Sequence, residues 1–521
     1  MTRTASLGPI IAIAAASSVA RASLITAVGY ISVKHNPRNG VDDPIIPLRF
    51  VGSLARVNYL LLLCPLFYSG IGKAVNPSVL VKLWPVIVGF FFVIYAGIAS
   101  ATALSFLPGF RFLRRKSNRS DFESIRVAAA LPNAVALPLL VFPSLCEYEV
   151  VHEAFTSEPD SSPDAMIQEC TENANVFIFI CQFAFCVYFF CMGQKILLRS
   201  SPPTGTLQGT EGLPATVDGN AAKRITTDNS DIDEDDNIEF LQCASNSDGE
   251  TKEADAQSSS SSSSSSSSLN RESISTLLKG VGAWLNEVFG SAGSVAMILG
   301  LITGCIPWLP TALFEPGGSL RFIGGALDAL GQAATPLSLL VVGASLVASE
   351  ETEMKESESL TGSISNSEVE EVEEPKVGVD QQHYLSEQAM THIWFNLSRL
   401  VLTPTLVCAT LIGLDCGIPG LFGAASGGFQ IPHLFKLVMM VESASPSAMT
   451  IIVVLKAVAG KSSSMNDPSG NHASSLARRI AKLYLPLYGL CTITVAVWTL
   501  VGLVISLPDE DGRYFCEARF D

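Results

Sequence analysis

Charge is scarce in this 521-residue chain: 16% of it is Asp, Glu, Lys or Arg, against roughly 25% in soluble domains. The twelve cysteines form no CxxC pair and no zinc spacing, so the sequence offers no metal centre. Ser443 and His433 share one segment, but no third member completes a nucleophile–base constellation, which argues against an enzyme. The net charge of −16 argues against a nucleic-acid partner. No cofactor motif is evident. No cleavable signal peptide is evident either; the first apolar stretch is longer than one and can serve as its own targeting signal.

What the chain has instead is long apolar runs. Hydrophobic residues make up 48% of it, with a mean hydropathy of +0.37. The runs come in blocks such as VIVGFFFVIYAGIASATAL (86–104) and VFIFICQFAFCVYFFCMG (176–193). About 20 apolar residues in a helix cross a bilayer, so the pattern predicts an all-α polytopic membrane protein lodged in a lipid bilayer. We read ten spans: 8–31, 48–72, 79–106, 125–146, 174–198, 284–312, 320–348, 392–414, 433–459 and 477–507.

Lys and Arg in short loops mark the cytoplasmic side. The loop after span three carries Arg111, Arg114, Arg115, Lys116 and Arg119, and Lys34 and Arg38 follow span one. Lys456, Lys461, Arg478, Arg479 and Lys482 cluster around the junction of spans nine and ten. All three fall on one side if the N-terminus is outside. Residues 147–173 hold eight acids and no Lys or Arg, and fall on the other side. Cys146 and Cys170 then lie in or beside an oxidising loop, where either a disulfide or two free thiols is open.

The domains follow from these boundaries: a first five-helix repeat over 1–198 and a disordered acidic and Ser-rich cytoplasmic loop over 199–275. The second repeat starts over 276–348, is interrupted by a disordered acidic insert over 349–391, and resumes over 392–507, with a tail at 508–521. The loop includes an unbroken run from Ser258 to Ser268, too polar to bury a core. It reads as a tether or as a phosphorylation target. Five spans on each side of it give halves of opposite orientation, as an inverted repeat requires.

Spans four and nine correspond in such a repeat, and both are interrupted. Span four reads LPNAVALPLLVFPSLC (131–146), and span nine contains VMMVESASPSAMTII (438–452). Proline removes an N–H and clashes with the preceding turn. Prolines with small polar neighbours at matching places in two halves point to a transporter's binding site at mid-membrane. The helix ends freed there would aim positive dipoles at an anion.

At these residues the chain resembles the auxin efflux carrier family, most closely its PIN-LIKES branch. That branch carries a pattern close to GNLGNLPL in span four, then an apolar run, Pro and Cys. Asn133 falls on the first Asn, and Leu137, Pro138, Leu139, Pro143 and Cys146 match the remainder. Ala136 stands where the second Asn is expected, and Pro132 replaces a Gly. Near the family's PPAMN in span nine, Pro446, Ala448 and Met449 match and Thr450 takes the place of Asn. ITAVGY (25–30), CPLF (64–67) and SLRFIGGALDALGQAATPLSLLVVGASL (319–346) resemble its first, second and seventh spans.

The resemblance implies two broken helices crossing, as in sodium/proton-antiporter-like folds. It further implies a scaffold beside a moving transport domain, a homodimer, and carriage of indole-3-acetic acid and related weak acids. It points to the endoplasmic reticulum, with the plasma membrane as the alternative. An anion gains or loses about 2.3 kcal/mol per 100 mV, so an uncoupled carrier in the plasma membrane would export.

The substrate side is expected to be Asn133, Pro138, Ser445, Pro446, Ser447 and Thr450, with Asn133 foremost. Glu442 fits an anion site poorly, since a charge at bilayer depth costs roughly 2.5–3.5 kcal/mol. It is open to three readings: protonated and coupling, paired with a cation such as Arg21 of span one, or snorkelling to the surface. Two other functions stay in view. One is a sodium- or proton-coupled carrier of organic acids or bile acids; the other is a receptor or scaffold that transports nothing.

Overall fold

The computed structural model describes residues 17, 20–21, 23–33, 45–114, 119–156, 162–198, 291–362, 377–417, 431–461 and 468–507. The loop at 199–275 and the tail at 508–521 lie outside the described residues. Helices account for nearly all of the described chain, which holds no β-strand, only one isolated bridge. Six helices are each long and apolar enough to cross a membrane, seven if one bent pair counts as a span. In lipid a helix satisfies its own backbone groups, which is why apolar runs without turn residues fold this way. The protein is an all-helical polytopic membrane protein.

Helix occurs in each of the ten expected segments, with several boundaries displaced. Span one is helical over Ser23–Val33. Span two runs through Leu48–Val57, a π turn at Asn58–Leu63 and Cys64–Ala74. Span three is Pro77–Leu104, opened by Asn76, whose side chain accepts from the Val79 N–H at 2.8 Å, a standard N-cap. Span five starts earlier than expected, at Pro163, because Pro at the first helical position is preorganised for it, and runs on through a π turn at Phe189–Gly193. Span six is bent by 111° between Ala292–Cys305 and Trp308–Phe314, where Pro307 cannot continue the ladder.

The acidic insert is the larger departure. Helix Arg321–Gly362 continues through the first part of 349–391, and helix Val377–Leu397 begins within its last part. That corrects the expectation of disorder at its two ends; residues 363–376 lie outside the described residues. Glu and Lys are good helix formers.

The membrane helices belong to one compact unit, within which two groups are joined by different devices. Spans one, two, six and seven interlock through glycines: a side chain at Gly304 would collide with the Val75 carbonyl, and one at Gly343 with the Thr26 carbonyl. Such small residues let membrane helices approach to backbone contact. Polar bonds add to them: Asn58 Nδ2 donates to Ser338 Oγ at 2.8 Å, and the Tyr68 hydroxyl meets Thr303 Oγ1 at 3.0 Å. Spans three, four, five, eight, nine and ten form the second group. Trp394 Nε1 donates to the Ala101 carbonyl and Trp498 Nε1 to the Leu400 carbonyl, each at 3.0 Å. A Cys146–Cys170 disulfide joins span four to span five.

Candidate functional site

Spans four and nine are both broken in mid-course. Span four divides into Arg119–Ala130 and Pro138–Cys146, and span nine into Ile431–Ala444 and Thr450–Lys461. The extended pieces between them cross and pair: Pro132 and Ser447 form an antiparallel bridge. The Asn133 N–H donates to the Pro446 carbonyl at 2.8 Å, and the Ala448 N–H to the Leu131 carbonyl at 3.0 Å. Each break thus satisfies backbone groups that its partner's proline or extended geometry left open, and buried backbone groups without partners are costly.

Four helix ends meet at this crossing. Two are C-termini, at Ala130 and Ala444, and two are N-termini, at Pro138 and Thr450. Each C-terminus carries roughly half a negative charge and each N-terminus roughly half a positive one. The C-terminal side is held by Arg399, which is fully buried. Its Nε donates to the Ser445 carbonyl at 2.8 Å, its Nη2 to the Glu442 carbonyl at 3.0 Å and its Nη1 to the Ala130 carbonyl at 3.3 Å. One guanidinium therefore ties both first half-helices. A π turn at Ser398–Leu402 in span eight carries it, and such turns recur at functional positions. Thr403 Oγ1 donates to the Ser398 carbonyl at 2.7 Å, absorbing an acceptor that the turn displaces.

The N-terminal side borders a cavity of about 20 Å³, room for about one water molecule. Its walls come from both helix groups: Leu63, Leu66 and Phe67 of span two and Thr335 and Ser338 of span seven face Asn133–Ala136 of span four, Gln182 and Phe185 of span five and Ala448–Thr450 of span nine. The lining is apolar with neutral polar groups and contains no charged side chain. Asn133 Nδ2 donates to the Tyr488 hydroxyl at 3.3 Å, and that hydroxyl donates to the Ser447 carbonyl at 3.0 Å. The Tyr484 hydroxyl donates to the Ala448 carbonyl at 3.1 Å. Span ten thereby fixes the crossing from behind.

Of the residues anticipated for the substrate, Asn133 and Thr450 line the cavity. Pro138 starts the second half-helix of span four without facing the cavity. Ser445, Pro446 and Ser447 build the crossing: Ser445 Oγ turns back to the Val441 carbonyl at 2.8 Å, and the carbonyls of all three accept bonds from Arg399, Asn133 and Tyr488. Glu442 is fully buried, so it does not snorkel, and the cation beside it is Arg399, whereas Arg21 is exposed. Lys436 is also buried and pairs with Asp415 at 2.6 Å.

Arg399, Gln182, Tyr484 and Tyr488 were not anticipated. An arginine inside the apolar run of span eight is a signal in its own right, because an intramembrane charge needs a reason. The tyrosines and Gln182 carry no such signal; only the fold brings them to the crossing.

A family model described as "Membrane transport protein" matches residues 15–458. No curated protein and no solved structure matches the chain.

Proposed function

The chain belongs to the membrane transport protein family, and we propose that its cargo is a weak organic acid in its anionic form, of the indole-3-acetic acid type. The observation that supports this is the cavity at the crossing. The N-terminus of Thr450–Lys461 opens on the cavity and that of Pro138–Cys146 follows just after its lining residues, so positive dipole ends stand by apolar side chains and neutral donors. A carboxylate with an apolar ring suits such a lining; a cation does not. Asn133, Gln182, Ser338 and Thr450 are the donors and acceptors within reach of the cargo, and Leu63, Leu66, Phe67 and Phe185 form the slot for the ring.

A cavity of about 20 Å³ is too small for a ring, so loading requires the two helix groups to part. Ten spans arranged as a five-plus-five inverted repeat would supply that motion by rocking one group against the other. The family resemblance adds the endoplasmic reticulum as the membrane and a homodimer as the assembly.

The test is flux into liposomes holding the purified protein, with a panel of labelled aromatic acids, their uncharged amides and organic cations. Saturable uptake confined to the acids is expected, with a roughly tenfold weaker half-saturation in Asn133→Ala, the equivalent of about 1.4 kcal/mol. Equal uptake of amides or cations, or no flux with any of them, sinks the reading.

A further inference from the structure

The Glu442 carboxyl is a buried acid at the crossing that the cargo site does not use. It is fully buried, and neither oxygen has a hydrogen-bond partner. Ionised, a carboxylate so placed would cost several kcal/mol unless matched by a cation. The cation beside it is Arg399, and three of its nitrogens are already committed to main-chain carbonyls. The charges there already balance. On the C-terminal side of the crossing two helix C-termini of roughly half a negative charge each offset the single guanidinium. The positive N-terminal ends lie on the other side, at the cavity, so a further full negative charge beside Arg399 has no partner of its own.

Other groups around the helix Ile431–Ala444 cannot supply the missing charge. Cys181 of span five is the neighbour on that side; of span ten, Tyr484 and Tyr488 stand by Arg399, while Lys482 stands by His392 and Arg478 by Lys456. Pro138–Cys146 has no ionisable side chain outside its disulfide. Pro77–Leu104 has only Lys82 and Tyr95, the latter edge-on to Tyr188. On the helix itself, His433 and Lys436 lie two turns away, and Lys436 is held by Asp415.

We propose that Glu442 is a proton-binding site, that it carries its proton in this closed arrangement, and that losing the proton pulls Arg399 off the carbonyls that hold the crossing. The reach is short, because Arg399 Nη2 already bonds the main-chain oxygen of the same residue at 3.0 Å. Once ionised, the carboxylate is a stronger acceptor than a carbonyl. The carbonyls of Ala130 and Ser445 are then released, and with them the register of the paired breaks whose other side lines the cavity. The closed form binds one proton more than the opened form, so it is favoured at low pH and lost as pH rises through the titration of Glu442. Moving one proton per opening would make the carrier proton-linked.

Two measurements on the purified full chain test this without any substrate. The infrared carbonyl band of a protonated carboxylic acid is expected in the wild type at neutral pH, shifted by labelling glutamate with carbon-13 and absent from Glu442→Gln. Among the described residues no other Asp or Glu side chain is buried, so among them only Glu442 is expected to give the band. Its loss in Glu442→Gln assigns it, and Glu442→Asp, which keeps the acid, should retain a band at a shifted position. Amide hydrogen exchange at 131–137 and 445–449 is the second measurement. Relative to Glu442→Gln, wild-type protection should fall by up to tenfold per pH unit, the slope of a one-proton linkage. Absence of the acid band, or the same pH profile in both proteins, overturns the proposal.

A third arm rests on the transport reading above: flux of the accepted acid should depend on a pH gradient in the wild type and lose that dependence in Glu442→Gln. If no acid is carried at all, that reading fails while the first two arms still decide the proton site.

Discussion

Arg399 shows how much one side chain can decide. A lysine is a point charge; a guanidinium is a planar fork, and here it reaches three carbonyls belonging to two separate half-helices. Removing it takes a donor from each of these buried carbonyls; the Glu442 carbonyl keeps the Ser445 N–H at 3.3 Å. Arg399→Met is expected to destabilise the folded protein by about 3–5 kcal/mol, the range for breaking a buried charged contact, read as a lowered midpoint of thermal unfolding in detergent. Arg399→Lys should recover part of that loss and not all of it. An equal midpoint for wild type and Arg399→Met would show that the crossing holds without its brace.

At the scale of elements, the two groups of helices use different devices. The span two–span six contact is made by missing side chains, so volume is what it cannot tolerate. Gly304→Leu must push span six off the Val75 carbonyl, and overpacking of this kind costs about 1–3 kcal/mol. Gly413→Leu is the matched control, since nothing lies within 4 Å of the position a side chain would occupy there. The first variant should lower the unfolding midpoint and the second leave it in place; equal effects would remove the close-contact argument. The broken helices use the opposite device. Pro446 withholds an N–H and Pro132 does the same in its partner, and the chain answers with main-chain bonds between the two breaks.

For the whole molecule, the disulfide and the proposed orientation make linked demands. Cys146 and Cys170 are 24 residues apart, and closing a loop of that length stabilises by about 3.5 kcal/mol in the chain-entropy account. Such a bond persists in an oxidising compartment, which is where the positive-inside pattern puts residues 147–173. Cys170→Ser should therefore lower stability by about that amount, measured against wild type with and without reductant. In intact cells, a glycosylation acceptor introduced at 157–161 should be modified and one at 115–118 should not. Modification of the second site would reverse the assigned orientation.

The sequence by itself determined that this is a helical membrane protein, because hydrophobic length and loop charge act locally and are read residue by residue. It also located the two interruptions, since proline disrupts a helix wherever it stands. Of the residues it offered for a substrate, Asn133 and Thr450 line the cavity. Tertiary structure alone decided what the breaks do to each other. Their pairing is a contact between residues more than 300 positions apart, and no periodicity encodes it. Arg399 and Tyr488 join the crossing from further helices for the same reason. Of the serines of span nine, Ser443 and Ser445 turn their hydroxyls back to main-chain carbonyls, whereas the buried Ser447 hydroxyl keeps no such bond. Glu442 was legible as an anomaly, but its isolation was not: only the fold shows that the cation beside it is already committed to the carbonyls of both broken helices.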